Sequence, residues 1–330
     1  MSVALACVGT PDARELRTRR TEVSRVPRSD GLTRLAIYNF NIHALENDWT
    51  AWIDHVRDSQ HLISPVIVLL QDIPAGKIDE LLDRFEDRKN GFNGKWAART
   101  FVSRRGERAL ARTVAWDRTA LKLMRVRTFR GFGGSALAPR CSRDDNAGAV
   151  QVVLMHRSSR RTVSATSIKS PHKKDFDACA RRNAGLLDAK LAEQGWVGDL
   201  TVVGTDANAP DRYRGSWTCW YRRANAALGP RCGGTAVGGF EDPIYTVCRR
   251  SGTDHQNALR CLRSAHTNRA QPPIGGRIDF ILSRVGSGEL QVAAAETLPL
   301  GAPGCDNQSP GRSRDCYSDH RSVYVLIELP

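Results

Sequence analysis

No apolar stretch in the 330 residues approaches the roughly 20 that a helix needs to cross a bilayer, so a membrane-spanning protein is not expected. The apolar run in "MSVALACVGT" is also too short for the core of an export signal, although it reads equally as the trimmed end of one. Cys7 there suggests a lipid-attachment cysteine, but Ala4 stands where such signals prefer Leu. No C-x-x-C pair occurs among the nine cysteines, which speaks against a zinc ribbon or a thiol-redox motif. No solenoid or propeller period recurs along the chain. Acidic residues are in deficit: 35 Asp and Glu face 49 Lys and Arg, a formal charge of +14 with a pI near 9.8.

That basic excess suits a polyanionic partner such as nucleic acid, an anionic lipid surface or a phosphorylated metabolite, and it serves solubility equally well. The cysteines are unevenly placed. Apart from Cys7 all lie from Cys141 onward, at positions 141, 179, 219, 232, 248, 261, 305 and 316. The pairs Cys219/Cys232, Cys248/Cys261 and Cys305/Cys316 each flank a short polar loop. Local disulfides are therefore expected, and with them an oxidising, secreted or cell-envelope location; free buried thiols in a cytosolic protein are the alternative.

Residues 1–32 are Arg-rich and lack apolar periodicity, which predicts a flexible basic arm. From residue 33 to 330 the pattern is that of one domain. Strands are expected at 34–42, 66–70, 111–117, 121–129, 149–157, 162–168, 200–208, 277–285 and 321–329. Helices are expected at 48–63, 77–87 and 176–195. Residues 209–276 read as a Cys-rich excursion holding one short helix near "HQNALRCLRSA". The order predicts an α+β fold: a four-layer α/β/β/α sandwich of two mixed, mainly antiparallel sheets packed face to face with helices outside.

The strand ends carry the chemistry. "VIVLLQDIP" (66–74) is apolar on both faces and then delivers Gln71 and Asp72 before Pro74 stops it. A turn would explain that pair, and so would a ligand held at the rim of a sheet. The other strands end alike. "LAIYN" closes on Asn39, "TSIKSPH" near His172 and "TVVGTDAN" on Asp206 and Asn208; "RIDF" presents Asp279, and "YSDHRS" sets Asp319 and His320 before the final strand. Carboxylates beside a second polar group suit hard metals and phosphate.

In this order the motifs "YNFN", "LQD", "SPH", "GTDAN", "IDFI" and "SDH" resemble those of the endonuclease/exonuclease/phosphatase superfamily. The likeness covers about residues 33 to 330, and "SDH" and the D-x-N pair are its most specific parts. It implies a Mg²⁺-dependent phosphodiester hydrolase, with Mn²⁺ as an alternative ion. His320 would take a proton from the attacking water, and Asp279 would orient it. Asp206 and Asn208 would hold the nucleophile and a phosphate oxygen, and His172 would contact the phosphate. Asp72, Asn39 and Asp319 would stand on the metal side. Two departures from the family pattern stand out: Asp72 replaces the usual Glu, and Thr205 separates Gly204 from Asp206. The first of these lowers metal affinity, changes the ion or marks a degenerate site.

For the substrate, the basic stretches 99–112 and 217–231 are read as loops at the edge of the site. They offer Arg112 and Trp217, and the helix at 176–195 offers Arg181, as substrate contacts. A secreted, monomeric nuclease acting on DNA or RNA is the favoured reading. A phosphatase or phospholipase on inositol phosphates or sphingomyelin-type lipids, and a non-catalytic polyanion-binding module, are the alternatives.

Overall fold

Alternation along single strands decides where the core sits. In β1 (Thr33–Asn41), Leu35 and Ile37 face one way while Ala36, Tyr38 and Phe40 face the other, and all five are fully buried. A strand buried on both faces must lie in the middle of a layered structure. The computed structural model places it there. It describes residues 33–42, 52–53, 66–86, 94–102, 109–130, 148–169, 190–206, 240–250, 279–298 and 321–329, all of them within the unit Thr33–Pro330.

The remaining strands are β2 (Val66–Pro74), β3 (Trp96–Val102), β4 (Leu110–Asp117), β5 (Leu121–Arg130), β6 (Gly148–His156), β7 (Thr162–Lys169), β8 (Leu200–Asp206), β9 (Asp279–Val285), β10 (Gln291–Thr297) and β11 (Val323–Leu329). They form a six-stranded sheet in the order β10-β11-β1-β2-β4-β3 and a five-stranded sheet in the order β5-β6-β7-β8-β9. Only β1–β2 and β7–β8 are parallel among the described pairs, so the sheets are mixed and mainly antiparallel, as expected.

The inner faces of the two sheets share one core. Ile37, Leu69 and Val114 from the first meet Val152, Ala165 and Val202 from the second. The outer face of the six-stranded sheet is covered by α1 (Ile78–Glu86), whose Leu81 and Phe85 lie one turn apart and pack on Val68 and Leu70. Aromatic rings close this layer: Phe40 stacks on Trp52 at 5.0 Å between centroids, and Phe85 meets Trp96 at 4.5 Å. Burial of a ring such as Phe85 is worth about 3–5 kcal/mol against Ala. The second described helix, α2 (Pro243–Arg250), lies beside β9 and β10 and carries a disulfide-bonded Cys248, whose partner cysteine lies outside the described residues.

Two strands go beyond the sequence reading. β3 and β10 were not expected, because "WAARTFV" and "QVAAAET" lack clean apolar alternation; they form on the edges of their sheet, where one flank needs no partner. The stretch 99–112, expected as a loop, begins in β3 and ends in β4. Of the expected helix 176–195, only residues 190–195 are described, and the short helix near "HQNALRCLRSA" lies outside the described residues.

Candidate active site

The inner faces that are apolar along most of their length turn polar at one end. In β1 the inward series Leu35, Ile37 continues as Asn39, Asn41, and in β2 the series Ile67, Leu69 continues as Gln71. In β7, Val163 and Ala165 give way to Ser167 and Lys169. In β8, Leu200 and Val202 give way to Gly204 and Asp206. Topology gathers these ends. β1 and β2 are parallel, as are β7 and β8, so each pair finishes on one side. Their antiparallel neighbours start there, β4 bringing Arg112 and β9 bringing Asp279.

Asp72 should point away from this face, since it follows Gln71 directly. It does not, because the pairing of β2 with β4 shifts between Leu70 and Ile73, and Asp72 takes a left-handed backbone with φ +53°. The bulge turns the carboxylate back toward the inner face. Asp72 Oδ2 there accepts from Lys169 Nζ, and Oδ1 lies 3.6 Å from Arg112 Nη2. The same Lys169 Nζ lies 3.4 Å from Asp206 Oδ2, so one ammonium joins the two carboxylates across the sheets. Asp206 Oδ2 also accepts from Asn41 Nδ2 at 2.8 Å.

Burial opposes the Lys169 ammonium, but the charges of Asp206 and Asp72 and the hydrogen bond to Asp72 outweigh it and hold the pKa above the ordinary lysine value. Asp206 faces Asp279 directly across the β8–β9 ladder, both fully buried. Like charges on one rung work against pairing, so their placement has no packing rationale.

A second set of hydrogen bonds fastens the sheets beneath the carboxylates. Gln71 Nε2 donates to Asn39 Oδ1 at 2.9 Å and to Ser167 Oγ at 3.0 Å, while Asn39 Nδ2 donates to Thr205 O at 3.3 Å. Ser167 Oγ in turn donates to Leu70 O at 2.7 Å. The sheets approach so closely that Gly204 has no room for a side chain: a Cβ there would stand 2.4 Å from Asn39 Oδ1. Near the start of β11, Trp52 Nε1 donates to the buried Ser322 Oγ at 2.9 Å, fixing the chain two residues after His320.

Of the residues singled out in the sequence, Asn39, Asp72, Arg112, Asp206 and Asp279 come to this one end. Asn39 accepts from Gln71 within its own sheet and donates to Thr205 O of the other, and Arg112, with a side chain only 1% exposed, reaches inward to Asp72. His320, Asp319, Asn208, His172, Arg181 and Trp217 lie outside the described residues. Lys169, Asn41 and Ser167 were not anticipated. Alternation within "TVSATSIK" places Ser167 and Lys169 on the face of Val163 and Ala165, and that was the available signal.

The donors suit a hard cation in kind. Asp72 and Asp206 offer carboxylate oxygens, and the fully buried Gln71 Oε1 accepts no hydrogen bond among the described residues. Among the described residues no three His, Cys, Asp or Glu side chains converge as a metal cluster.

No family model matches the chain, and no curated protein sequence does. Solved structures do. The endonuclease/exonuclease/phosphatase from Bacteroides vulgatus superposes with a TM-score of 0.57 at 16% identity, covering 90% of this chain and 100% of that one. The D. rerio TDP2 complexed with single strand DNA product gives 0.56 at 13%, covering 89% and 99%. The human Nocturnin catalytic domain with bound sulfate anion gives 0.56 at 13%, covering 90% and 94%. The chain has the endonuclease/exonuclease/phosphatase fold, as its motifs implied.

Proposed function

We propose that this chain is a phosphoester hydrolase and that its substrate is a nucleic acid. The observation that carries the reading is the polar end of the inter-sheet face, where buried Asp206 and Asp279 share one rung and Lys169 links Asp206 to the buried Asp72 of the other sheet. A core face has no structural need of three buried carboxylates, whereas phosphoryl chemistry needs fixed groups that orient water and offset developing charge. In this reading Asp279 orients His320, which takes the proton of the attacking water, and Asp206 with Asn208 positions that water. Asn41 holds the Asp206 carboxylate at 2.8 Å, and the Gln71–Asn39–Ser167 links keep both sheets in register under it.

Asp72 and Gln71 would hold a Mg²⁺ ion, with Asp319 on the same side. When bound, such an ion supplies a Lewis acid for a non-bridging phosphate oxygen. The similar TDP2 structure with a DNA product and the Nocturnin structure with sulfate support recognition of phosphate-like anions by this fold. The formal charge of +14 favours a polyanionic substrate. The disulfide at Cys248 supports an oxidising location, secreted or at the cell envelope.

Nicking of supercoiled plasmid, measured with Mg²⁺, Mn²⁺ or EDTA and with a His320→Ala control, tests the proposal. Metal-dependent nicking lost in H320A is the expected result. Folded protein that leaves DNA and RNA intact under every metal overturns the nucleic-acid reading. Release of phosphate from a monoester, or of a phosphorylated headgroup from a lipid, would then assign a phosphatase or phospholipase, and the absence of both a binding module.

A further inference from the structure

We propose that Lys169 is a resident counter-ion at this site, bridging Asp72 and Asp206, and competes with a divalent cation for Asp72. The inference rests on the metal-assisted reading above and concerns what that metal must displace. Lys169 Nζ bonds Asp72 Oδ2 and lies 3.4 Å from Asp206 Oδ2, so it stands between the two carboxylates that face one another across the sheets. A divalent ion drawn to these oxygens meets a positive charge already on them. Arg112 adds a second cation, 3.6 Å from the other oxygen of Asp72. Like charges in a buried setting repel strongly, so both ions cannot take these oxygens together.

The two basic side chains differ in what they can do. Arg112 is 1% exposed and locked in β4, and its role is to hold Asp72 in place. Lys169 is 17% exposed at the last position of β7, on a flexible four-carbon stem that lets its head move to solvent while the strand stays put. Lys169 is thus the one that yields. Without a divalent ion it keeps two buried carboxylates from repelling each other. On metal entry it withdraws, and metal affinity is lower by the energy of the contacts it gives up. The bulge supports the same conclusion: a left-handed Asp72 costs backbone energy, and its carboxylate is held toward Lys169 and Arg112 on the inner face.

The test is Mn²⁺ binding to the intact chain, read by calorimetry and by the electron spin resonance of free Mn²⁺, with no substrate present. Lys169→Met should bind Mn²⁺ at least about ten-fold more tightly than the wild type, and Lys169→Arg should not. Adding Asp72→Asn to K169M should abolish the gain. Equal or weaker binding by folded K169M overturns the proposal. Should K169M fail to fold, wild-type protein carrying ¹³C-lysine gives the answer: saturation with Mg²⁺ should shift the Lys169 Cε–Hε resonance, and an unmoved resonance overturns the proposal. Plasmid nicking separates the two readings. Metal-dependent nicking with unchanged K169M affinity would refute the counter-ion role alone, and tighter K169M binding without hydrolysis would refute the nuclease.

Discussion

Gly204→Ala puts the construction of the site to a quantitative test, because two physical effects of opposite sign meet at this residue. Glycine inside a strand is entropically unfavourable, and replacing it with Ala should stabilise by about 0.4–1 kcal/mol through the unfolded chain. Against this stands the space. A Cβ at position 204 would fall 2.4 Å from Asn39 Oδ1, 2.6 Å from Leu69 Cδ1 and 2.7 Å from Leu69 Cβ, all inside contact distance. Both residues belong to the opposite sheet, and neither neighbour has room to give, since Asn39 and Leu69 are fully buried. Forcing a methyl into such a core costs about 1–3 kcal/mol. Displacing Asn39 Oδ1 also breaks its bond from Gln71 Nε2, about 1 kcal/mol more. The clash wins, and the net loss should be roughly 2–3 kcal/mol. Urea unfolding reads this as a lower midpoint at unchanged slope. Gly76→Ala is the control, because a Cβ there would meet nothing within 4 Å, so it should be neutral or slightly stabilising. If G204A proved as stable as the wild type, the close approach of the two sheets at the site would be wrong.

Asp72→Asn should cost about 3 kcal/mol in denaturant unfolding, since it strips the carboxylate charge from a buried contact with Arg112 and Lys169. Asp72→Glu should lose about 1 kcal/mol from backbone strain alone, measured the same way, because Glu tolerates the left-handed conformation less well than Asp. Trp52→Phe removes the donor to Ser322 Oγ, so it should lower stability by about 1 kcal/mol and reduce the plasmid-nicking rate by loosening the entry to β11. Asp199 gives a pH signature: burial tends to raise its pKa, but bonds from Thr162 N at 2.7 Å and Oγ1 at 2.9 Å, with Arg161, hold it below the ordinary value of 3.8. Its stabilisation is therefore present above that value and lost as pH falls through the lower folded value, so the stability gap between wild type and Asp199→Asn should close under acid in a pH series of thermal melts.

The residues that mark the site could be found in the sequence because they interrupt a pattern. Asn39, Gln71, Asp206 and Asp279 each sit where an apolar series stops, and the stop is visible in one strand at a time. What those residues touch was not visible. Gln71 bonds Ser167 from 96 positions away, and Lys169 meets Asp72 from 97 away, contacts that exist only once two sheets are stacked. Arg112 illustrates the difference. Its position beside the site was anticipated, yet in a basic stretch it suggested a surface contact with phosphate, whereas its side chain is buried under Asp72. The edge strands β3 and β10 escaped for another reason: one flank of an edge strand faces solvent or loops, so its pattern is diluted by polar residues.

The identity of residue 72 follows from the backbone. Aligned with a family that carries Glu, a shorter Asp reads as a weakened ligand. In this chain the strand breaks register at that residue, and the turn of the backbone, not the length of the side chain, brings the carboxylate to the inner face. Among charged residues Asp tolerates this conformation best, so the bulge and the Asp are one feature. Because the bulge aims the carboxylate inward, it also brings it within reach of Lys169 on the other sheet. Asp72 and Lys169 must therefore be read together: restoring Glu alone would strain the backbone while leaving the ammonium in place, and removing the lysine alone would leave Asp72 already aimed at the site.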